Sequence, residues 1–290
     1  FCTDVAPPGA DDITGGKVFL TKKKNGAYRC EIEGPENALR KDGAPTKTVA
    51  VVKVDSENRA AKIEIGGTSF ILKEGEWSDW VEVEFPMIGR LFKATGIVML
   101  YLKSAGAHFE LYVSPVNIDP RRPALPISNP PGYSNELAEK CGVYYTQGMP
   151  ENTKALDHGI FTDEEFIAQS AIFDAQIERM FDYELDRFKS GFMFFYFSDT
   201  DLKTHMFWSA IDPTHPQYKK RSEFARTVIP DTYLKMDRIL GKAMKRLGKD
   251  DTLIVISDHG FTSFARAVHL NNWLKENGWL TVVDEFNQER

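Results

Sequence analysis

Short alternations of apolar and polar residues run through the first part of the chain. Between positions 81 and 85, apolar residues alternate with two glutamates, which is the period-two pattern of a half-buried strand. Asn25 and Gly26 separate two similar stretches and predict a tight hairpin turn. Short strands at this spacing predict an all-β domain, a sandwich or a barrel-like module, over residues 1–114. The predicted strands are residues 17–22, 27–33, 47–54, 60–65, 69–73, 81–85, 94–102 and 108–114.

Prolines then interrupt the alternation. Six of them lie in the stretch from residue 115 to residue 131. Proline has no backbone N–H to donate, so neither a regular helix nor a central strand is expected there. We therefore predict a linker over residues 115–132 that separates two domains.

Over residues 133–290 the pattern of apolar residues changes from short strands to strands that alternate with helices. Thr162 and Glu165 have the capping-box spacing that begins a helix, and an amphipathic pattern continues after them. The apolar runs at residues 192–198 and 253–257 predict strands that are covered on both faces. Strands that alternate with helices predict a parallel sheet with helices on both faces. The other predicted elements are helices at 218–247, interrupted at Pro230, and at 269–277, and a strand at 279–283.

Composition narrows the class of protein. The 290 residues are 42% hydrophobic and 12% aromatic, enough to fill a core, so a disordered chain is excluded. The net charge of -6 argues against a protein that binds nucleic acid through its whole surface. No apolar run reaches about 18 residues, so no transmembrane segment is expected. The three cysteines lack a CxxC spacing, which argues against a thiolate zinc site and leaves a Cys2–Cys30 bridge open.

Acidic and histidine residues follow both long apolar runs. Asp201 and His205 come after the first run, and Asp258 and His259 come after the second. Open α/β sheets place their sites just past the carboxyl ends of strands, so the four side chains converge if the strands are neighbours. Two carboxylates and two imidazoles suit zinc, and such a set can serve two metal ions that share a site. The competing interpretation is that the aspartates cap helices and the histidines are surface residues.

The stretches around these residues resemble a known family. Residues 195–205, FYFSDTDLKTH, look like the motif of type I phosphodiesterases and nucleotide pyrophosphatases in which an Asp and a His four residues later bind one metal ion. Residues 253–260, LIVISDHG, look like the second motif of that family, whose Asp and His bind the other metal ion. The resemblance covers about residues 125–283. It implies an α/β fold with part of an alkaline-phosphatase-like parallel sheet, preceded by an inserted β domain as in some bacterial members.

The resemblance also implies an activity. The expected function is metal-dependent hydrolysis of phosphate esters by a phosphodiesterase or nucleotide pyrophosphatase, with a small phosphate ester or a nucleotide as substrate. The implied cofactors are two divalent metal ions, zinc or alternatively manganese, on either side of a Thr or Ser nucleophile. Asp201 and His205 are assigned to the metal ion on the leaving-group side. Asp258 and His259 are assigned to the metal ion that holds the nucleophile.

The chain departs from the family pattern in several places. Thr204 stands where the family usually has Gly, and Thr200 stands where Pro is usual. The resemblance places the nucleophile, an early Asp ligand and a late His ligand outside this chain, which is expected to be an internal, nearly inactive piece of a longer protein. Within the chain, Asp199 and His269 are candidates for orienting a metal ligand. His269 has two further interpretations, as a metal ligand itself or as a helix cap.

Other functions stay open at this stage. The same superfamily scaffold carries phosphomonoesterases and metal-dependent phosphoglycerate mutases. Alternatively, the β-rich part is a non-catalytic module that binds a glycan, the cell envelope or a partner protein. Trp77, Trp80 and Tyr101 would then form an aromatic platform, for which core packing is the competing interpretation. No nucleic-acid partner is expected. Secretion rests on family analogy alone, and exposed sheet edges predict poor solubility or association.

Overall fold

Two compact units make up the chain. The structure, a computed structural model, describes residues 1–5, 19–37, 44–88, 92–264 and 266–281. The first unit consists of Phe1–Asp199 and Arg238–Gly248, and the second unit consists of Thr200–Asp237 and Lys249–Arg290. The chain is a mixed α/β protein with several sheets and helices.

Ten strands in the described residues form the β-rich part of the first unit. They build a four-stranded sheet in the order β2-β1-β10-β9, a four-stranded sheet in the order β3-β4-β5-β6, and the pair β7-β8. All pairs are antiparallel except β1 with β2. The strands are β1 (Cys2–Thr3), β2 (Phe19–Leu20), β3 (Tyr28–Glu36), β4 (Pro45–Asp55), β5 (Ala60–Ile65), β6 (Thr68–Lys73), β7 (Val81–Ile88), β8 (Phe92–Val98), β9 (Leu100–Ala105) and β10 (Phe109–Val113).

The strand alternation seen in the sequence produces the core of this part. Phe85 of β7 is fully buried, whereas Glu82 and Glu84 on the other face are partly exposed. Ile63 of β5 and Leu100 of β9 join Phe85 in one hydrophobic cluster, to which all three sheets contribute. The alternation predicted for residues 81–85 is therefore confirmed, because strand side chains point to opposite faces and only one face of β7 is buried here.

Two details of the predicted strands differ. The single strand predicted at 94–102 is divided into β8 and β9, with Met99 between them. The turn at Asn25 and Gly26 is present, and both residues have positive φ, 51° and 78°. Such angles are those of a tight hairpin turn, but β2 before it pairs with β1 rather than with β3. Residues 17 and 18 of that predicted strand lie outside the described residues.

A disulfide closes the N-terminal edge of the core. Cys2 on β1 and Cys30 on β3 are bonded, with their Cα atoms 5.8 Å apart. Both residues belong to the buried cluster, whereas Cys141 is a buried free thiol. The bridge that the sequence left open is therefore present. It joins two sheets of the first unit.

The proposed aromatic platform is interior packing. Trp77 stacks on Tyr101 with ring centres 4.9 Å apart, and it meets Tyr112 and Phe161 edge-on. Tyr101 keeps only 6% of its surface exposed. The rings therefore face one another and not solvent, which favours the core interpretation of these strand aromatics. The third member, Trp80, lies 6.4 Å from the ring of Phe173.

Helices follow the proline-rich stretch, which contains neither helix nor strand. α1 (Tyr133–Cys141) and α2 (Thr153–Asp157) were not predicted, because both are too short to show a periodic pattern. α3 (Asp163–Arg187) begins at the predicted capping box: Glu165 N–H donates to the Thr162 hydroxyl, and the Glu165 carboxylate accepts from Thr162 N–H. Its buried face includes Phe166, Phe173 and Phe181.

The strand predicted at 192–198 is only half realised. Phe192, Phe194 and Tyr196 are exposed, whereas Phe195 and Phe197 pack edge-on against Phe181 of α3, each with ring centres 5.2 Å apart. The segment alternates as an extended chain does, yet it pairs with no strand among the described residues. The strand pairing that a parallel sheet requires is not present at this segment among the described residues.

The helices that follow are α4 (Asp199–Ile211), α5 (Glu223–Met244) and α6 (Leu270–Glu276). A 3₁₀ turn at Tyr218–Lys220 precedes α5, so the helix predicted from residue 218 begins later. The predicted interruption at Pro230 is wrong, because α5 continues through it. An internal proline costs about 3 kcal/mol, but burial of Val228 and Ile229 stabilises the same turn by roughly 1.5–3 kcal/mol for each side chain.

The second predicted parallel strand is absent from the described residues. Residues 253–257 form no strand, and Ile254, Val255 and Ile256 are each more than 70% exposed. Residues 279–281 also form no strand, and 282–283 lie outside the described residues. α6 matches the helix predicted at 269–277. Within the described part of the chain, no helix combines the length and apolar character needed to cross a membrane.

Candidate metal centre

α4 carries the first two candidate ligands on one face. Asp201 and His205 are four residues apart, so one helical turn brings their side chains together, and His205 Nε2 lies 3.4 Å from Asp201 Oδ1. Thr200 and Thr204, the two positions that depart from the family pattern, are joined within this helical turn. The Thr204 hydroxyl donates a hydrogen bond to the Thr200 carbonyl. Thr204 is 2% exposed, so its side chain is part of the packed side of the helix.

The loop after residue 257 brings the third ligand to the same place. His259 Nε2 lies 3.5 Å from Asp201 Oδ1. Asp201, His205 and His259 each offer one donor atom, and these atoms all lie within 4.8 Å of one another. All three residues belong to the second unit. Of the part of the chain that the structure describes, no other group of three such side chains meets this distance.

The spacing of these donors fits a divalent cation. In tetrahedral zinc sites the metal–ligand distance is about 2.0–2.2 Å, which separates neighbouring donor atoms by roughly 3.3–3.6 Å. The two Nε2–Oδ1 distances of 3.4 and 3.5 Å fall in this range. Asp201 Oδ1 is also buried and accepts no hydrogen bond within the described residues. A buried carboxylate oxygen without a hydrogen bond is unfavourable unless a cation binds it.

A backbone contact orients the His259 ring. Its Nδ1 lies 3.1 Å from the carbonyl oxygen of Gly260. A carbonyl oxygen can only accept, so this hydrogen bond requires the proton on Nδ1. Nε2, which faces Asp201, then keeps its lone pair free for a cation. The loop is further shaped by Ser257, whose hydroxyl donates to the His259 carbonyl at 2.6 Å.

Asp258 lies beside the group of three. Its Oδ2 is 3.5 Å from His259 Nε2, and its Oδ1 accepts from His259 N–H at 3.1 Å. The side chain is 83% exposed, so it can change rotamer easily. The structure thus brings together Asp201, His205 and His259, with Asp258 at the edge.

The two residues proposed to orient a ligand are placed differently. Asp199, the first residue of α4, is buried and belongs to the first unit. Nearby, burial, together with the negative charges of Glu151 and Asp174, raises the pKa of Tyr145 to about 12. His269 is exposed at the N-cap position of α6, and within the described residues its side chain makes no capping hydrogen bond.

An aromatic ring lies against both imidazoles. Phe261 meets His205 edge-on with ring centres 4.8 Å apart, and it meets His259 edge-on at 5.3 Å. On its other side it stacks on Trp208 of α4 at 6.0 Å. Phe261 therefore fills the space beside the donors with apolar surface.

Hydrogen bonds also connect the loop to the last part of α4 and to Asp212 just after it. Trp208 Nε1–H donates to the Ser263 hydroxyl at 3.1 Å, and the Ser263 hydroxyl donates to the carboxylate of Asp212. Asp212 also accepts from the N–H of Thr214 at 2.8 Å and from its hydroxyl at 2.7 Å. The hydrogen bond from Ser263, followed by those from Thr214, lowers the pKa of Asp212 to about 2.

The sequence analysis did not identify Trp208, Asp212, Phe261 and Ser263 as partners of the site. For the residues on α4, however, the sequence carried a signal. Asp201, His205, Trp208 and Asp212 are spaced by four, three and four residues, which is the period of a single helix face. The sequence analysis placed these residues after a strand and predicted no helix over them, so this period was not sought. Phe261 and Ser263 follow the second motif too closely to show any pattern of their own.

These features describe a mixed α/β protein with carboxylate and imidazole donors grouped beside a helix. The model of the family described as Type I phosphodiesterase / nucleotide pyrophosphatase matches residues 94–287, more than half of the chain. The chain therefore belongs to this family, which is alkaline-phosphatase-like and comprises phosphoric ester hydrolases. Neither a curated protein nor a solved structure matches the chain.

The family match is wider than the motifs alone suggested. It begins at residue 94, within β8, and includes β9 and β10. Part of the β-rich region therefore aligns with the family. The division into 1–114, 115–132 and 133–290 stays a prediction.

Proposed function

We propose that this chain contributes metal ligands to a phosphodiesterase or nucleotide pyrophosphatase site that uses two divalent metal ions. The ligands are Asp201, His205, Asp258 and His259, and the preferred ion is zinc. The observation that carries the proposal is the donor group around Asp201 Oδ1, a buried oxygen between two imidazole nitrogens at 3.4 and 3.5 Å. Family membership supports the reaction class.

The donor types support zinc over harder cations. Magnesium and calcium prefer oxygen ligands, whereas zinc binds imidazole nitrogen together with carboxylate oxygen. Manganese accepts the same set with lower affinity. Two carboxylates with neutral imidazoles give the group a charge of about -2, which attracts a cation and, once the cation is bound, permits an anionic phosphate to approach.

Each residue has a stated part in the proposed site. Asp201 supplies the buried negative charge, and His205 and His259 supply the nitrogen lone pairs. Asp258 is exposed enough to turn towards a second cation. Bound zinc would polarise the phosphoryl oxygens and lower the pKa of the nucleophilic hydroxyl, a Thr or Ser that we place outside residues 1–290.

The first test measures zinc binding, because it does not need the nucleophile. We expect the 290-residue chain to bind zinc in equilibrium dialysis and to release it to a chelator. Asp201→Asn, His205→Ala and His259→Ala should each weaken zinc binding at least tenfold, because each removes one donor from the group.

Matched controls exclude nonspecific binding by surface residues. His158→Ala and Asp157→Asn change exposed residues of the first unit and should leave zinc binding unchanged. An unmodified chain that binds no zinc, or ligand variants that bind it as tightly as the unmodified chain, would contradict the proposal.

A second test addresses the substrate. In a chain that also contains the nucleophile, we expect cleavage of bis(p-nitrophenyl) phosphate that is lost on chelation and restored by zinc. Faster cleavage of p-nitrophenyl phosphate would keep the metal site and move the function to a phosphomonoesterase. His259→Ala should abolish either reaction.

A further inference from the structure

One face of α4 carries more than metal ligands. Asp201 and His205 occupy its first turns, Trp208 follows on the same face, and Asp212 comes directly after the helix end. The helical hydrogen bond from Asp212 N–H to the Trp208 carbonyl, 3.1 Å long, keeps Asp212 in register with this face.

The loop of residues 257–263 makes a series of side-chain contacts with this face of α4. His259 lies next to Asp201, and Phe261 contacts the rings of both His205 and Trp208. Ser263 ends the series between Trp208 and Asp212. The contacts therefore proceed in the same chain direction in both segments, because later residues of the loop meet later residues along α4.

Within the described residues, most of this loop is exposed to solvent. Among the described residues, 253–260 and 264 are exposed, and only Phe261 and Ser263 in this stretch are partly buried. These are the two residues that contact Trp208. The position of His259 relative to Asp201 therefore depends on this attachment.

We propose that Ser263, Trp208 and Asp212 are positioning residues that anchor the His259 loop to α4 and so preorganise the metal centre. The anchor is a relay of two hydrogen bonds, from the indole N–H to the serine hydroxyl and from that hydroxyl to the carboxylate. Phe261 adds the apolar contact between the anchor and the imidazoles. The inference rests on the proposed metal function.

The anchor is independent of pH across the range in which zinc binding is measured. Because the pKa of Asp212 is about 2, its carboxylate remains an acceptor in any neutral or mildly acidic buffer. The indole N–H and the serine hydroxyl do not titrate there. A change in zinc affinity caused by an anchor variant should therefore be the same at pH 6 and pH 8.

The test compares Ser263→Ala with Ser263→Thr. Ser263→Ala removes the acceptor of Trp208 and the donor to Asp212, so we expect at least a tenfold loss of zinc affinity in competition with a chromophoric chelator. Ser263→Thr keeps the hydroxyl and should restore most of the affinity. Cobalt, bound in place of zinc, should show a weaker or shifted visible absorption band in Ser263→Ala only.

Trp208→Phe provides a second, coupled variant. It keeps the ring that stacks on Phe261 but removes the N–H, so we expect a loss of several-fold. In the Ser263→Ala background Trp208→Phe should have a smaller effect than in the unmodified chain, because the indole N–H has already lost the serine hydroxyl as an acceptor. Additive losses would contradict the relay.

Ser222→Ala is the matched control. Ser222 also lies in the second unit, and its hydroxyl accepts from Ala225 N–H at the start of α5. This variant should lower stability but leave zinc affinity and the cobalt spectrum unchanged.

The possible outcomes separate the two proposals. If the unmodified chain binds neither zinc nor cobalt, the proposed function fails. If it binds both and Ser263→Ala binds them equally well, only the anchor is refuted. If Ser263→Ala does not fold, as judged by circular dichroism, the decision falls to Trp208→Phe, whose unchanged zinc affinity would refute the anchor.

Discussion

Gly34 shows how closely single side chains are packed in the β-rich core. A Cβ atom at this position would lie 2.3 Å from Cδ1 of the Phe85 ring. Phe85 is fully buried in the hydrophobic cluster and has no open space to move into. Glycine at position 34 is thus required by the close approach of a neighbouring strand and not by a turn.

We expect Gly34→Ala to destabilise the folded chain by about 1–3 kcal/mol, the usual result of overpacking a filled core. Gly148→Ala is the control: its new Cβ would meet nothing within 4 Å, so its stability should be unchanged or slightly raised. Urea denaturation followed by far-ultraviolet circular dichroism measures both. Equal stability of the two variants would show that Phe85 can move aside.

At the scale of elements, charged residues of the first unit join α3 to the last part of α5 and to Arg246 just after it. Glu178, Asp182 and Asp186 recur every four residues on α3, and they meet Arg238, Lys242 and Arg246 with the same period. Glu178 is the best shielded of the acids, with 18% of its side chain exposed, and it accepts from both Arg238 and Lys242. Burial alone would raise the pKa of Glu178, but these two cations outweigh it and lower the pKa.

Glu178→Gln should therefore lower stability at pH 7 by about 1 kcal/mol. The folded-state pKa of Glu178 lies below the unfolded value of 4.5, so its contribution is present above pH 4.5 and is lost as the pH falls through the folded-state pKa. The difference between Glu178→Gln and the unmodified chain should thus become smaller in acid, as urea titrations at pH 7 and pH 3 would show.

Glu139→Gln serves as the comparison for this substitution. Glu139 is exposed, and its oxygen accepts from the Asn135 amide, a hydrogen bond that glutamine can keep. The Glu139→Gln variant should be as stable as the unmodified chain at both pH values. A loss as large as that of Glu178→Gln would mean that the charge pattern on the helices, and not the specific pairs, is what stabilises them.

At the scale of the whole molecule, apolar residues are exposed in both units. In the first unit, Phe192, Phe194 and Tyr196 are exposed. In the second unit, Ile254 and Ile256 belong to an exposed apolar run that pairs with no strand in the described part of the chain. Contiguous exposed apolar residues on extended backbone favour association.

We accordingly expect the 290-residue chain to self-associate as its concentration rises, and sedimentation velocity would measure this. Replacing both Ile254 and Ile256 by Lys should reduce the association, because charge opposes edge-to-edge pairing. Ile71→Lys is the control, since Ile71 is an exposed apolar residue of β6, outside both segments. A chain that stays monomeric at high concentration would contradict the expectation.

Local chemistry allowed much of the fold to be predicted. The capping box at Thr162, the turn at Asn25 and the alternation that leads to Phe85 act within a few residues, so the sequence alone determined them. The helix at α6 was also predicted within one residue at each end. The residue types of the candidate site, Asp and His after each apolar run, were equally visible.

Tertiary structure decided what depends on partners far away in the chain. Apolar runs such as 192–198 and 253–257 become strands only when other strands pair with them, and the described residues supply none. α5 continues through Pro230 because burial outweighs one lost hydrogen bond. The sequence predicted His259 as a ligand, but only the folded structure shows that Phe261 contacts His205 and that Ser263 contacts Trp208, because contacts between residues far apart in the chain follow from packing and not from spacing.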